Sequence, residues 1–266
     1  GRSAAPAALQ GLLLAGLAVV STSATPSLAV AVSYGAGLML SIALNPLPPL
    51  SAEQDQELEA VDAWMLLAVV SNQVLSSADI FLIAGLLSAS AAGVYAAVYR
   101  IPNGWLALLV IVRSGLLPLA TSLRHTDPDR FRDLRRTSIR WGVLGGAVLL
   151  ALTPLLYLAI PVVYGEDYLS GQGPAVLLLT ATAIATVGAP LHHLFLAFGD
   201  DRPYAVYLTA AAGTNVVLNL ALIPVFGLMG AAAATLAANV ILVAVLWHGL
   251  GARLRTLPAP VDAAGS

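Results

Sequence analysis

Eight apolar segments succeed one another along the 266 residues, at about 6 to 23, 28 to 45, 63 to 86, 91 to 120, 141 to 161, 174 to 198, 204 to 224 and 228 to 250. Each is near the roughly 20 residues that a bilayer-spanning helix needs. In hydrocarbon every backbone N–H and C=O must be satisfied within the protein, which a helix does by itself. The expectation is an all-α, polytopic membrane protein with about eight transmembrane helices. Charged residues make up 10% and hydrophobic residues 59% of the chain, whereas a soluble domain carries about a quarter charged residues.

Arginine placement gives a topology. Ten of the twelve cations fall at Arg2, in the 121 to 140 connection (Arg124, Arg130, Arg132, Arg135, Arg136, Arg140), at the Arg202 turn and in the Arg253/Arg255 tail. The alternate loops at 24 to 27, 87 to 90, 162 to 173 and 225 to 227 hold no Arg. Cytoplasmic loops are enriched in Lys and Arg, so both termini are expected in the cytoplasm of a plasma (inner) membrane protein. The chain has no Cys, which excludes disulfides, thiolate metal sites and thiol nucleophiles. No metal or cofactor is expected, and nothing supports nucleic-acid binding.

The sharpest internal boundary is 46 to 62, PLPPLSAEQDQELEAVD, where three prolines precede five carboxylates. It reads as a cytoplasmic linker between residues 1–45, with two spans, and residues 63–252, with six, ahead of a tail at 253–266. Ser51 and Gln54 have the spacing of a capping box. In RHTDPDRFRDLRRTSIRW, Asp127 is placed to cap a helix whose first residue is Pro128. Phe131, Leu134 and Trp141 share one side, which suits a short helix lying in the headgroup layer; a solvated connector is the plainer reading.

Polar residues inside spans are costly unless they face protein or water. Asn72, Ser76 and Asp79 fall on one helical face. Asn215 and Asn219 are four apart, as are Thr235 and Asn239; hydrogen bonding between helices accounts for these as well as function does. GAAAATLAAN points to close packing in the last span. Asp79 and Arg100 average to position 89.5, within the turn LLSASAAG, so an antiparallel hairpin sets them at equal depth, roughly 12 Å below it. They read either as a structural ion pair or as a cation, buffered by Asp79, facing a polar cavity. Arg113 is turned roughly 140° from Arg100 and close enough to the inner surface to snorkel. His192 and His193 are candidates for a coupling proton, against simple solvation near the inner surface, and as neighbours they are not both expected to face inward. Prolines 102, 118, 154, 190 and 224 are expected to interrupt or end spans.

SSADIFLIAGLLSASAAGVYAAVYRI resembles a segment of oligosaccharide and polysaccharide flippases, in which an Asp-bearing helix turns into one reading G-x-Y-x-x-A-x-x-R-I. YGEDY at 164 to 168 resembles an outer loop of the same proteins, and LAFGDDRPYAVYLTAAAGTNVVLNLALIPVFGLMGAAAATLAANVI their last two spans. The family is the polysaccharide-transporter branch of the multidrug/oligosaccharidyl-lipid/polysaccharide exporter superfamily. The resemblance implies a MATE-like flippase fold, with this chain holding the second six-helix lobe and the last two spans of the first. It implies translocation of a polyprenyl-pyrophosphate-linked glycan from the cytoplasmic to the outer leaflet, with no enzymatic activity. The cavity Arg carries over onto Arg100 by similarity to the related lipid II flippases; the carboxylate often found three residues later there is Asn103 here.

A pyrophosphate calls for Arg, whose planar fork binds phosphate bidentately and keeps its charge when desolvated. Asn72, Ser76, Asn103 and Asn215 are the candidates for contacting the glycan. Membrane lipids, H+ or Na+ as coupling ion through Asp79, His192 or His193, and a polysaccharide polymerase are the further expected partners. Two rivals stay open: a cation-coupled multidrug exporter, which would favour buried acids, and a membrane-embedded polymerase or transferase, which needs separated acid and base groups where the outer loop has only adjacent Glu166 and Asp167.

Overall fold

The computed structural model describes residues 63–113, 115–199 and 201–257, which lie in one compact unit, Asp62–Ser266. The expected spans at 6 to 23 and 28 to 45, the linker at 46 to 62 and most of the tail lie outside the described residues. Among the described residues seven α-helices follow one another: α1 Ala63–Leu86, α2 Ala89–Arg113, α3 Leu116–Thr126, α4 Pro128–Tyr164, α5 Gln172–Leu196, α6 Asp201–Phe226 and α7 Leu228–Leu254. A 3-10 turn, Glu166–Gly171, joins α4 to α5. Among the described residues there is no strand.

Among the described residues five helices, α1, α4, α5, α6 and α7, are long and apolar enough to cross a membrane by length and composition. α2, at 25 residues, also has the length of a span, with Arg100, Asn103 and Arg113 set into an otherwise largely apolar sequence. Over the single span expected at 91 to 120, the described residues hold one helix that ends at Arg113 and a second that starts at Leu116. Nor do the prolines end the spans: Pro102, Pro154, Pro190 and Pro224 lie inside continuous helices, as does Pro161. Pro118 sits in the first turn of α3, where a missing N–H costs nothing.

α4 starts as its sequence dictates. Asp127 accepts a hydrogen bond from the Arg130 N–H at 3.0 Å, and Pro128 is the first helical residue. The helix then runs unbroken for 37 residues, about 55 Å at 1.5 Å per residue. The headgroup-layer helix expected at 128 to 140 is therefore the first third of a spanning helix, and it does not lie flat. The cause is in the sequence: no Gly or Pro separates Phe131 from Trp141. Three (i,i+3) ion pairs line this part, Asp127–Arg130 at 3.4 Å, Asp129–Arg132 at 2.6 Å and Asp133–Arg136 at 3.3 Å. Phe131 is buried and meets Phe198 edge-on, while Trp141 is 69% exposed at the start of an apolar outer face.

α5 is the central helix, the most buried of the five spans. It packs against α4, α7 and α2; α7 packs in turn on α6, and α6 on α1. Small residues let these backbones approach closely. Ala231, Ala232, Ala234 and Ala238 of α7 are fully buried, so the GAAAATLAAN run packs as its composition indicates. The α4–α5 contact is of the same kind, with a Cβ on Gly146 falling 2.9 Å from the Ala183 carbonyl oxygen. One apolar core, around Leu191, Phe195, Leu208 and Leu246, fills the end of the bundle where Arg124, Arg202 and Arg253 lie. A second, around Ile83, Tyr95, Leu178 and Ala231, fills the opposite end.

Candidate functional site

A cleft of about 590 Å³ opens between α1, α2, α5, α6 and α7. Its polar wall is built from Asn72, Gln73 and Ser76 of α1, Thr182, His192 and His193 of α5, and Thr235 and Asn239 of α7. Tyr99 of α2 and Tyr204 of α6 add aromatic faces. Among the described residues, no carboxylate and no guanidinium lines it.

Asn72 and Ser76 thus meet where the one-face spacing placed them. The Asn72 amide makes no hydrogen bond among the described residues, while its backbone carbonyl accepts from Ser76 Oγ at 2.8 Å. Asn239 Nδ2 donates to the Thr235 carbonyl at 2.9 Å, leaving its Oδ1 open to the cleft. His193 Nδ1 lies 3.1 Å from the Ala189 carbonyl, an acceptor only, so this nitrogen carries the proton. His192 Nδ1 is 3.1 Å from the Tyr204 hydroxyl. Both imidazoles line the same cleft, contrary to the expectation that neighbours cannot. α5 is central, and the cleft wraps far enough around it to collect residues 100° apart.

Asp79 lies behind this wall, 1% exposed. Its Oδ2 accepts from the Tyr95 hydroxyl at 2.8 Å and from Thr235 Oγ1 at 3.4 Å, and its Oδ1 from the Ile80 N–H at 2.9 Å. The carboxyl therefore joins α1, α2 and α7 through hydroxyl groups. The expected ion pair with Arg100 is not formed: Arg100 is exposed on α2 and makes no ion pair among the described residues. Ser88 caps α2, its Oγ accepting from the Ala91 N–H, so the helix begins at Ala89 and the turn is only Leu87–Ser88. That earlier turn sets Asp79 opposite about residue 96, beside Tyr95.

Asn103 is exposed three residues beyond Arg100, on the same face of α2, and neither lines the cleft. Asn215 is fully buried away from the cleft. Its side-chain oxygen and its backbone carbonyl accept from Asn219 Nδ2 at 3.0 and 2.9 Å. The two Asn therefore bond along α6 and leave Asn215 Nδ2 and Asn219 Oδ1 unpartnered. Glu166 and Asp167 stand side by side in the 3-10 turn.

Sequence reasoning missed Gln73, Tyr99, Thr182 and Tyr204 as cleft residues and Tyr95 as the partner of Asp79. A signal for the tyrosines was present, since Tyr95 and Tyr99 are four apart and share one helical face. Their rings stack at 6.0 Å.

A polar cleft inside a lipid-facing helical bundle defines a multi-pass membrane protein with a transporter fold. The bundle matches an outward-facing multidrug resistance MATE family transporter of the MOP superfamily at a TM-score of 0.65 with 18% identity, over 77% of this chain and 47% of that one. It matches a MOP superfamily transporter from Pyrococcus furiosus at 0.63 with 19% identity, over 77% and 46%. The chain belongs to the polysaccharide biosynthesis protein family, whose model matches residues 10–171. It is 30% identical over 203 residues to the "Probable flippase AglR" of Haloferax volcanii, across 71% of this chain and 40% of that protein. The chain thus spans less than half the length of each of these three proteins.

Proposed function

We propose that this chain forms the second six-helix lobe, with the last two spans of the first, of a flippase that carries a polyprenyl-pyrophosphate-linked oligosaccharide from the cytoplasmic to the outer leaflet by alternating access. The observation that carries the reading is the 590 Å³ cleft with hydrogen-bonding walls inside a bundle that otherwise faces lipid. A drug-sized or larger head group needs a pocket of this scale, and unpaired amides in an apolar bundle are costly without a polar occupant. Family membership and the named flippase relative favour a glycan-bearing cargo. A cation-coupled drug exporter finds less support, because no acid lines the cleft among the described residues; a polymerase finds less, because Glu166 and Asp167 are adjacent and not separated.

Arg100 and Asn103, on the exposed face of α2, are the proposed contacts for the pyrophosphate. Asp79, His192 and His193 are the proposed route of a coupling H+ or Na+, since Thr235 both lines the cleft and bonds Asp79. A plasma-membrane location with both termini cytoplasmic, and handover to a polysaccharide polymerase, complete the proposal.

The test is flipping of a fluorescent polyprenyl-pyrophosphate disaccharide by the intact protein in proteoliposomes. Protein-dependent flipping, lost in Arg100→Ala and partly kept in Arg100→Lys, is the expected result, because a point ammonium keeps charge but not the planar fork. Absence of protein-dependent flipping overturns the proposal.

A further inference from the structure

We infer that the cleft between α1, α5 and α7 is a subsite for an uncharged sugar residue, and that it discriminates against acidic sugars. The assignment rests on the flippase reading for the origin of the sugar, and it concerns which glycans are accepted. The proposed pyrophosphate contacts, Arg100 and Asn103, do not line this cleft, so in this scheme pyrophosphate and sugar are recognised by different residues.

The wall chemistry selects the ligand. Asn72, Gln73 and Asn239 each present an amide group, and an amide offers both donor and acceptor, as a sugar hydroxyl does. The Asn72 amide is unengaged, Asn239 keeps a free Oδ1, and Gln73 keeps a free Oε1 once its Nε2 has donated to Ser77 at 2.9 Å. His192 with Tyr204 supplies a further hydrogen-bonding pair, and the Tyr99 ring a flat face for the apolar side of a pyranose. A ligand with many hydroxyls satisfies such groups together. A lipophilic drug leaves them unpaired.

Charge decides between sugars. Behind the wall the Asp79 carboxyl is already engaged by Tyr95 and by the lining residue Thr235. With no Arg among the described lining residues, a uronate that enters while His192 and His193 are neutral would lose its hydration and gain no cation. A neutral hexose or N-acetylhexosamine carries no such cost. The volume, within the roughly 300–1,000 Å³ of small-molecule pockets, gives room for a short saccharide.

The experiment uses the intact protein in nanodiscs and saturation-transfer NMR. The probes are neutral N,N′-diacetylchitobiose and acidic glucuronyl-N-acetylglucosamine. The neutral probe is expected to bind at least about tenfold more tightly than the acidic one, as one unpaired buried charge readily costs that much. Combining Asn72→Leu with Asn239→Leu should weaken the neutral probe by about tenfold or more with the melting temperature nearly unchanged. Gln73→Arg should raise binding of the acidic probe, a gain that misfolding cannot produce. Equal binding of both probes by the unaltered protein overturns the assignment, as does neutral binding unaffected by the double substitution. Flipping assays separate the two readings. Neutral sugar bound without any lipid probe flipped defeats the flippase reading and keeps the subsite, whereas flipping with no sugar bound defeats the subsite and keeps the flippase.

Discussion

The Tyr95 hydroxyl donates to Asp79 at 2.8 Å and so ties α2 to α1 at a depth where both residues are almost fully buried. Asp79 is seven residues from the end of α1 at Leu86, and Tyr95 is six residues into α2 from Ala89. Thr235 lies seven residues into α7 from Leu228, so the third helix meets the carboxyl at the same level. The packing of this end of the bundle is thereby organised around one side chain.

Tyr95→Phe should destabilise the protein by about 1–3 kcal/mol, because it withdraws the shortest hydrogen bond to a buried carboxyl. Arg100→Ala should change stability by no more than about 0.5 kcal/mol, as expected of an exposed residue without an ion pair. Thermal unfolding of both variants in detergent or nanodiscs makes the comparison. A loss for Arg100→Ala as large as that for Tyr95→Phe would restore the ion-pair reading.

Close approach of α7 to α6 depends on Gly230. A Cβ there would clash with the Leu222 carbonyl oxygen, which is backbone and has no rotamer to yield. Gly230→Ala should cost about 1–3 kcal/mol through overpacking. Gly213→Ala is the control: it is exposed, nothing lies within 4 Å of its Cβ position, and the helix should gain about 0.5–1 kcal/mol. The two melting temperatures should move in opposite directions.

Thr126 and Ser170 are exposed just beyond opposite ends of α4, which is itself about 55 Å long by its rise per residue. The chain has no Cys of its own. In intact cells Ser170→Cys should react with an impermeant thiol reagent and Thr126→Cys should not. Reversed labelling would invert the proposed topology.

Asp127→Ala should lower stability by about 0.5–2 kcal/mol through loss of the cap on α4. Asp133→Ala, which breaks only an exposed pair with Arg136, should leave the melting temperature within error. Equal losses in the two variants would mean that charge and not capping governs this end of the helix.

The sequence alone determined what lies along the membrane normal. α1 runs over the expected 63 to 86, α5, α6 and α7 start and stop within a few residues of theirs, and the Asp127–Pro128 start of α4 stands where the capping pattern put it. These are local properties, set by apolar run length, caps and turn residues. What lies across the membrane plane was decided by tertiary structure. A helix turns 100° and rises 1.5 Å per residue, so once the local Ser88 cap starts α2 at Ala89 instead of the expected 91, packing against α1 sets Tyr95, and not Arg100, beside Asp79. Likewise only the central position of α5 puts both His192 and His193 on one cleft, and only the packing of α6 hides Asn215. Hydropathy records that a residue is in a span; which neighbour it meets depends on helix rotation and register, which no single segment encodes.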